Sequence, residues 1–177
     1  MSRRPFVLRE LIAAPSGWFP ALLVEAQTAL GRVQVLGVHL HPPVSEDGSW
    51  VRGSLTSAPV RRLEVSTFFA HLSPGLPTLI AGDFNESTSG EAVAFLARRG
   101  LRSVLPEFAP RANTWRGPLG ALEPRGQLDH LFSDPLVFEP LDARVLAKGR
   151  SDHLPVRAIF TRSTAARGTS LSLGSAG

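Results

Sequence analysis

Carboxylates, imidazoles and one amide gather in three short stretches of this chain. Each stretch sits where an apolar run gives way to a loop. The first is Val38-His39-Leu40-His41 and the second is Ala81-Gly82-Asp83-Phe84-Asn85-Glu86. The third pairs Asp129, within Gln127-Leu128-Asp129-His130-Leu131-Phe132, with Ser151-Asp152-His153-Leu154-Pro155-Val156. Asp83, Asp129 and Asp152 are hard oxygen donors of the kind that suits Mg²⁺, Mn²⁺ or Ca²⁺. His153 is a candidate general base or partner for phosphate charge, and a carboxylate could orient it. Asn85 can hydrogen-bond a phosphate oxygen or a water without adding negative charge. As a set, these groups fit metal-assisted attack of water on a phosphate ester.

Structural roles compete with this chemistry. An Asp at a strand end is commonly a turn or cap residue, and Asp83-Phe84-Asn85 alone suits an Asx turn. A lone Asp-His pair carries little weight. Asp129 is harder to explain away, because an unpaired carboxylate inside an apolar strand is costly. It needs a partner, and His153 is the obvious candidate. His130 points to the opposite face of that strand and reads as a packing residue. His71, late in a helix, reads as a surface residue.

The elements that must position these groups follow from pattern. Ala21–Gln27 and Arg32–Leu40 are Val- and Leu-rich and form a hairpin with Gly31 at the turn. Residues 41–52 read as loop. Pro59 opens a helix with Val60, Leu63, Phe68 and Leu72 at helical spacing, ended by Pro74-Gly75. Pro77–Ala81 is a short buried strand. Thr88-Ser89-Gly90-Glu91 has the form of a capping box and starts a helix through Arg99, with Gly100 just past its end. Residues 106–125 are mostly loop. Gln127–Ser133, Leu136–Ala147 and Pro155–Thr161 read as strands. The order ββαβαβββ predicts a mixed sheet with covering helices.

Composition narrows the classes. With 177 residues and 43% apolar content, one packed domain is expected and wholesale disorder is excluded. The absence of Cys excludes disulfides, thiolate metal sites and cysteine nucleophiles. The net charge is +4, and of the 19 cations only Lys148 is a lysine. Arginine's planar fork suits phosphate, although coding bias explains the arginine excess equally well. No run reaches the length of a membrane span and no signal segment is recognisable, so a cytoplasmic location is expected.

In their order along the chain, Val38-His39-Leu40, Gly82-Asp83-Phe84-Asn85, Gln127-Leu128-Asp129-His130 and Gly149-Arg150-Ser151-Asp152-His153-Leu154-Pro155-Val156 resemble the endonuclease/exonuclease/phosphatase superfamily. The resemblance spans roughly Phe19 to Thr161. It implies an α+β fold, the deoxyribonuclease I-like α/β/β/α sandwich. It implies that Asp83 orients the attacking water and holds metal, Asn85 holds the scissile phosphate, and Asp129 fixes the His153 imidazole. Asp152 would be a metal ligand or stand just behind one, and His39 would contact phosphate or the leaving group. Thr114-Trp115 matches a Thr-aromatic pair in a substrate loop of family members. The Val-His-Leu stretch resembles the branch of deoxyribonuclease I, sphingomyelinases and inositol-phosphate phosphatases.

The departure lies at the beginning. Family members open with a strand carrying an Asn and a later strand carrying the principal metal-binding Glu. Here Glu10 and Glu25 are the only early acids, and neither matches that Glu. The fold is therefore expected to be incomplete at the N-terminus. Residues 1–18 are a poorly matched segment, 19–162 the C-terminal portion of the domain, and 163–177 a disordered tail. A fragment, a short variant completed by a second subunit and a degenerate domain all fit. Half a sandwich exposes a sheet face, so self-association is expected.

The expected activity is divalent-metal-dependent phosphodiester hydrolysis, with Mg²⁺ (or Mn²⁺ or Ca²⁺) and a nucleic-acid substrate. Another phosphate ester is the alternative, acted on by a phosphatase or phospholipid phosphodiesterase; an inactive binding domain is the other. Trp50 and Trp115 could stack on bases, though covering the edge of the core is the simpler role for each.

Overall fold

The computed structural model describes residues 5–43, 56–117, 123–147 and 151–164. Strands β1 (Phe6–Ile12), β2 (Ala21–Thr28) and β3 (Gly31–His39) form an antiparallel meander. Helix α1 (Ala58–Phe69) lies on the crossover to β4 (Thr78–Asp83), which runs parallel to β3. Helix α2 (Glu91–Arg98), β5 (Arg102–Ser103) and the short α3 (Leu105–Phe108) follow. Then come β6 (Trp115–Arg116), β7 (Arg125–Gly126), β8 (Asp129–Ser133), β9 (Phe138–Val145) and β10 (Val156–Arg162). The main sheet has the order β1-β2-β3-β4-β8-β5, with β10-β9 and β6-β7 as separate pairs. The fold is mixed α+β around a central sheet, as the sequence predicts.

Strand alternation gives this sheet two different faces. Leu23, Leu36, Ile80 and Phe132 stand in one cross-strand row, all buried. They share a core with Val65 and Phe68 of α1 and Ala92, Val93, Phe95 and Leu96 of α2. On the other face, β9 and β10 pack with α3 and Leu131. Away from that cover, Leu11 and Leu22 pair across β1 and β2 and remain 62% and 42% exposed. One sheet face is sealed by helices and the other is only partly covered.

The Gly31 turn is as expected, with Thr28 Oγ1 accepting from the Leu30 N–H at 3.0 Å. Three expectations are corrected. Residues 6–12, where charged Arg9 and Glu10 interrupt the apolar run, form β1. A register shift between Leu8 and Glu10 breaks the alternation that would have marked it. Arg9 pairs with Glu25 at 3.0 Å and Glu10 with His71 at 2.9 Å, so both early acids are engaged away from the site. The capping box does not form. Gly90 is the N-cap of α2, and the Glu86 carboxylate accepts the Ala92 N–H at 2.8 Å instead. Ser163, assigned to the tail, is buried and donates its N–H to Val137 O at 2.9 Å. The described part of residues 106–125 is mostly loop, as expected, and the elements that reach into it, α3, β6 and β7, are too short to show a periodicity. Trp50, Gly149, Arg150 and the tail from residue 165 lie outside the described residues. Among the described residues no helix is long and apolar enough to cross a membrane.

Glu86 is also the hub of a buried polar network. It receives Arg61 Nε at 2.9 Å, and both side chains are under 5% exposed. Arg61 also donates to Ser57 Oγ at 2.6 Å. A Cβ on Gly90 would lie 2.2 Å from Glu86 Oε2, so the carboxylate requires glycine there. Removing one partner of a buried ion pair leaves the other charged and unsatisfied. Arg61→Met is therefore expected to cost about 3–5 kcal/mol, read by urea unfolding. A loss under about 1 kcal/mol, the range of exposed pairs, would contradict the placement of this network in the core.

Candidate active site

The site begins as a register. β3, β4 and β8 align His39 with Asp83 and Asp83 with Asp129, so the three side chains form one row at one end of the sheet. The row lies on the partly open face. Gly82 makes this alignment possible: it has φ +148, and a Cβ there would fall 1.8 Å from Val38 O. The strands approach one another so closely just before Asp83 that no side chain fits.

Beyond β4 the chain turns sharply. Asn85 has φ 51 and donates its N–H to Asp83 Oδ1 at 2.8 Å, an Asx turn. Asn85 Nδ2 donates to Leu40 O at 2.9 Å, and Phe84, fully buried, donates its N–H to Leu128 O at 2.9 Å. The turn and the carboxylate are therefore held from both neighbouring strands.

His153 arrives from the loop before β10. Its Nδ1 donates to Asp129 Oδ2 at 2.8 Å, which leaves Nε2 3.6 Å from Asp83 Oδ2. His39 Nε2 lies at the same distance, 3.6 Å, from that oxygen. Asp83, Asp129 and His153 offer ligand atoms within 4.8 Å of one another. Beside the pair opens a cavity of about 320 Å³ lined in part by Gly82, Asp129, His153 and Pro155.

Burial pushes the Asp83 carboxyl above the ordinary Asp range. The Asn85 N–H opposes this, the Asp129 charge adds to it, and the two imidazoles offset it only in part. For His153, burial favours the neutral ring, but the bond and charge of Asp129, with Asp83 and Asp152, more than reverse this and raise its pKa. Partial burial raises Asp152, yet the hydrogen bond from Trp115 and the neighbouring donors bring it below its usual value.

Three expected site residues occupy different places. Thr114 is fully buried beneath the site, and its Oγ1 accepts the N–H groups of Leu128 and Asp129, each at 3.0 Å. Trp115 is 9% exposed and donates Nε1–H to Asp152 Oδ2 at 3.2 Å, so its ring offers little surface for stacking. Asp152 is exposed on its loop, and the metal-competent cluster among the described residues holds Asp129 rather than Asp152. His130 is the packing residue expected: it is buried, with Nε2 donating to Glu86 O at 2.9 Å. Burial lowers its pKa and keeps the ring neutral, which suits that bond.

Two contributors carry no local sequence signal. Phe19 stacks flat on His39, with ring centres 4.0 Å apart. Glu64, buried within α1, accepts the His41 N–H at 2.7 Å and the Ser16 hydroxyl.

The donor set fits a hard divalent cation. Mg²⁺ commonly takes one or two carboxylates and completes its shell with water and phosphate oxygens. A cation would also relieve the repulsion between Asp83 and Asp129.

A family model described as Endonuclease/Exonuclease/phosphatase family matches residues 2–153. No curated protein matches the chain. Among solved structures, it is similar to an endonuclease/exonuclease/phosphatase from Beutenbergia cavernae, with 23% identity and TM-score 0.70 over 93% of this chain and 47% of that one. The human Nocturnin catalytic domain, solved with a bound sulfate, shares 19% identity and TM-score 0.60 over 91% of this chain and 62% of that one. A Neisseria 3′ phosphatase bound to a product DNA hairpin shares 19% identity and TM-score 0.58 over 90% of this chain and 73% of that one. The chain thus spans about half the length of the Beutenbergia protein and about three fifths of the Nocturnin domain. With the family model covering most of its length and the same fold in these structures, the chain belongs to the endonuclease/exonuclease/phosphatase family.

Proposed function

We propose that this chain hydrolyses phosphodiester bonds in nucleic acid with the help of a divalent cation. The observation that carries this reading is the Asp129–His153 bond of 2.8 Å set against Asp83, with His153 Nε2 3.6 Å from its carboxylate. The cation would be held by Asp83 with the help of Asp129, and when bound it supplies charge neutralisation at the phosphate and a more acidic water. Asp83 orients the attacking water. His153 Nε2 accepts its proton, because Asp129 fixes the tautomer and stabilises the imidazolium that forms. Asn85 Nδ2 carries two hydrogens, and the one not given to Leu40 O is the donor for a phosphate oxygen. His39, nearly half exposed, reaches the phosphate or the leaving group from the other side of Asp83. Thr114 and Trp115 act from behind, holding Asp129 and Asp152.

Plasmid nicking in Mg²⁺ or Mn²⁺ tests the reading. Nicking that stops with chelator, and falls about 10²–10⁴-fold in His153→Ala, is expected. Activity that survives chelation, or persists in Asp83→Ala, overturns the mechanism. Phosphate release from small esters without nicking would favour a phosphatase, and silence on every ester would favour a binding domain.

A general base works deprotonated, and the raised pKa of His153 places the loss of its proton above the ordinary His value. In the metal-free protein the His153 ring should therefore titrate with a midpoint above about 6.5, read from its ring resonances by NMR. Asp129→Asn should lower that midpoint; an unchanged midpoint would contradict the Asp129–His153 bond.

The exposed Leu11 and Leu22 pair also supports self-association through the open face. Sedimentation should give a mass that rises above 19.0 kDa with concentration. A constant monomer mass overturns it.

A further inference from the structure

The loop between β1 and β2 ends at the same edge of the sheet as the His39–Asp83–Asp129 row, and it presents two aromatic rings to solvent. Trp18 is 50% exposed and Phe19 39%. Trp18 meets Phe19 edge-on with ring centres 5.8 Å apart, and meets His41 edge-on at 5.0 Å. Phe19 in turn lies flat on His39, whose Nε2 is 3.6 Å from Asp83. An unbroken run of rings thus leads from solvent to the site.

This loop is built in rather than draped. The buried Glu64 carboxylate clamps its Ser16 hydroxyl and the His41 backbone at once. Ser16 Oγ also accepts the Trp18 N–H at 3.3 Å. A buried carboxylate is costly unless its oxygens are hydrogen-bonded, and here those same bonds hold the loop in place. Two neighbouring rings left in water beside a charged site are a recognition surface for something planar and apolar. On a phosphodiester substrate that group is the nucleobase, and every base has a π-face on which an aromatic ring can stack. In an intact duplex those faces are already stacked on neighbouring bases.

We propose that Trp18 and Phe19 form a stacking platform for an unpaired nucleobase beside the cleaved phosphate, so that the preferred substrate is a single strand or a frayed end. The proposal rests on the nucleic-acid reading above. It is tested by fluorescence anisotropy of the full chain with labelled dT8 in chelator, against a strand of equal length and charge made of abasic sites. Wild type should bind dT8 at least about tenfold more tightly than the abasic strand, since each stacked base contributes about 1–3 kcal/mol. Trp18→Ala should lose about tenfold on dT8 and leave abasic binding unchanged, whereas Trp18→Phe should retain most of the base preference. Equal dT8 binding by wild type and Trp18→Ala, or no base preference in wild type, overturns the platform while leaving the nucleic-acid reading intact. Failure of wild type to bind either strand, in chelator and in Mg²⁺ alike, overturns both.

Discussion

The register of β3, β4 and β8 is the constraint on which everything else depends. Side chains alternate between the two faces of a sheet, so a slip of one residue would turn His39, Asp83 or Asp129 into the helical core. The same register sets Leu36, Ile80 and Phe132 in their buried row on the opposite face. Core packing and site assembly are thus one structural decision: sealing the apolar row under α1 and α2 presents the polar row on the other side. Gly82 allows the strands to close at that point.

A second layer then brings in groups from distant sequence. Thr114 is the joint. Its hydroxyl supports the start of β8 from beneath, and its carbonyl accepts the Leu154 N–H at 2.7 Å. With the isolated bridge between Trp115 and His153, this places the imidazole against Asp129. The outcome is electrostatic. Two part-buried carboxylates and an imidazole converge, and both Asp83 and His153 favour their protonated forms more than usual. Such a site gains stability from positive charge, whether a proton or a cation supplies it.

Much of this is legible in the residues themselves, because the signals are local. Gly-Asp-Phe-Asn and Ser-Asp-His place acid, amide and imidazole at strand ends, and the Asp129–His153 pairing follows from the cost of an unpaired carboxylate in an apolar strand. What escapes is what depends on distant neighbours. Glu86 replaces the expected capping box because Arg61, 25 residues away, holds it in the core. Thr114 matches a substrate-loop pattern in type, yet its burial comes from β7 and β8 closing over it. β1 is hidden by its bulge. Trp18 and Phe19 show no motif; they gain meaning only from His39, which the hairpin brings alongside.

The central claim is that Asp83 and Asp129 hold a cation beside the His153 imidazole on the open sheet face. It is tested most directly by titrating Mn²⁺ into isotopically labelled protein and following paramagnetic broadening by NMR. The account predicts broadening centred on the amides of Asp83 and Asp129 and on the His153 ring, lost in Asp83→Asn. Broadening centred elsewhere, or unchanged in Asp83→Asn, would contradict it.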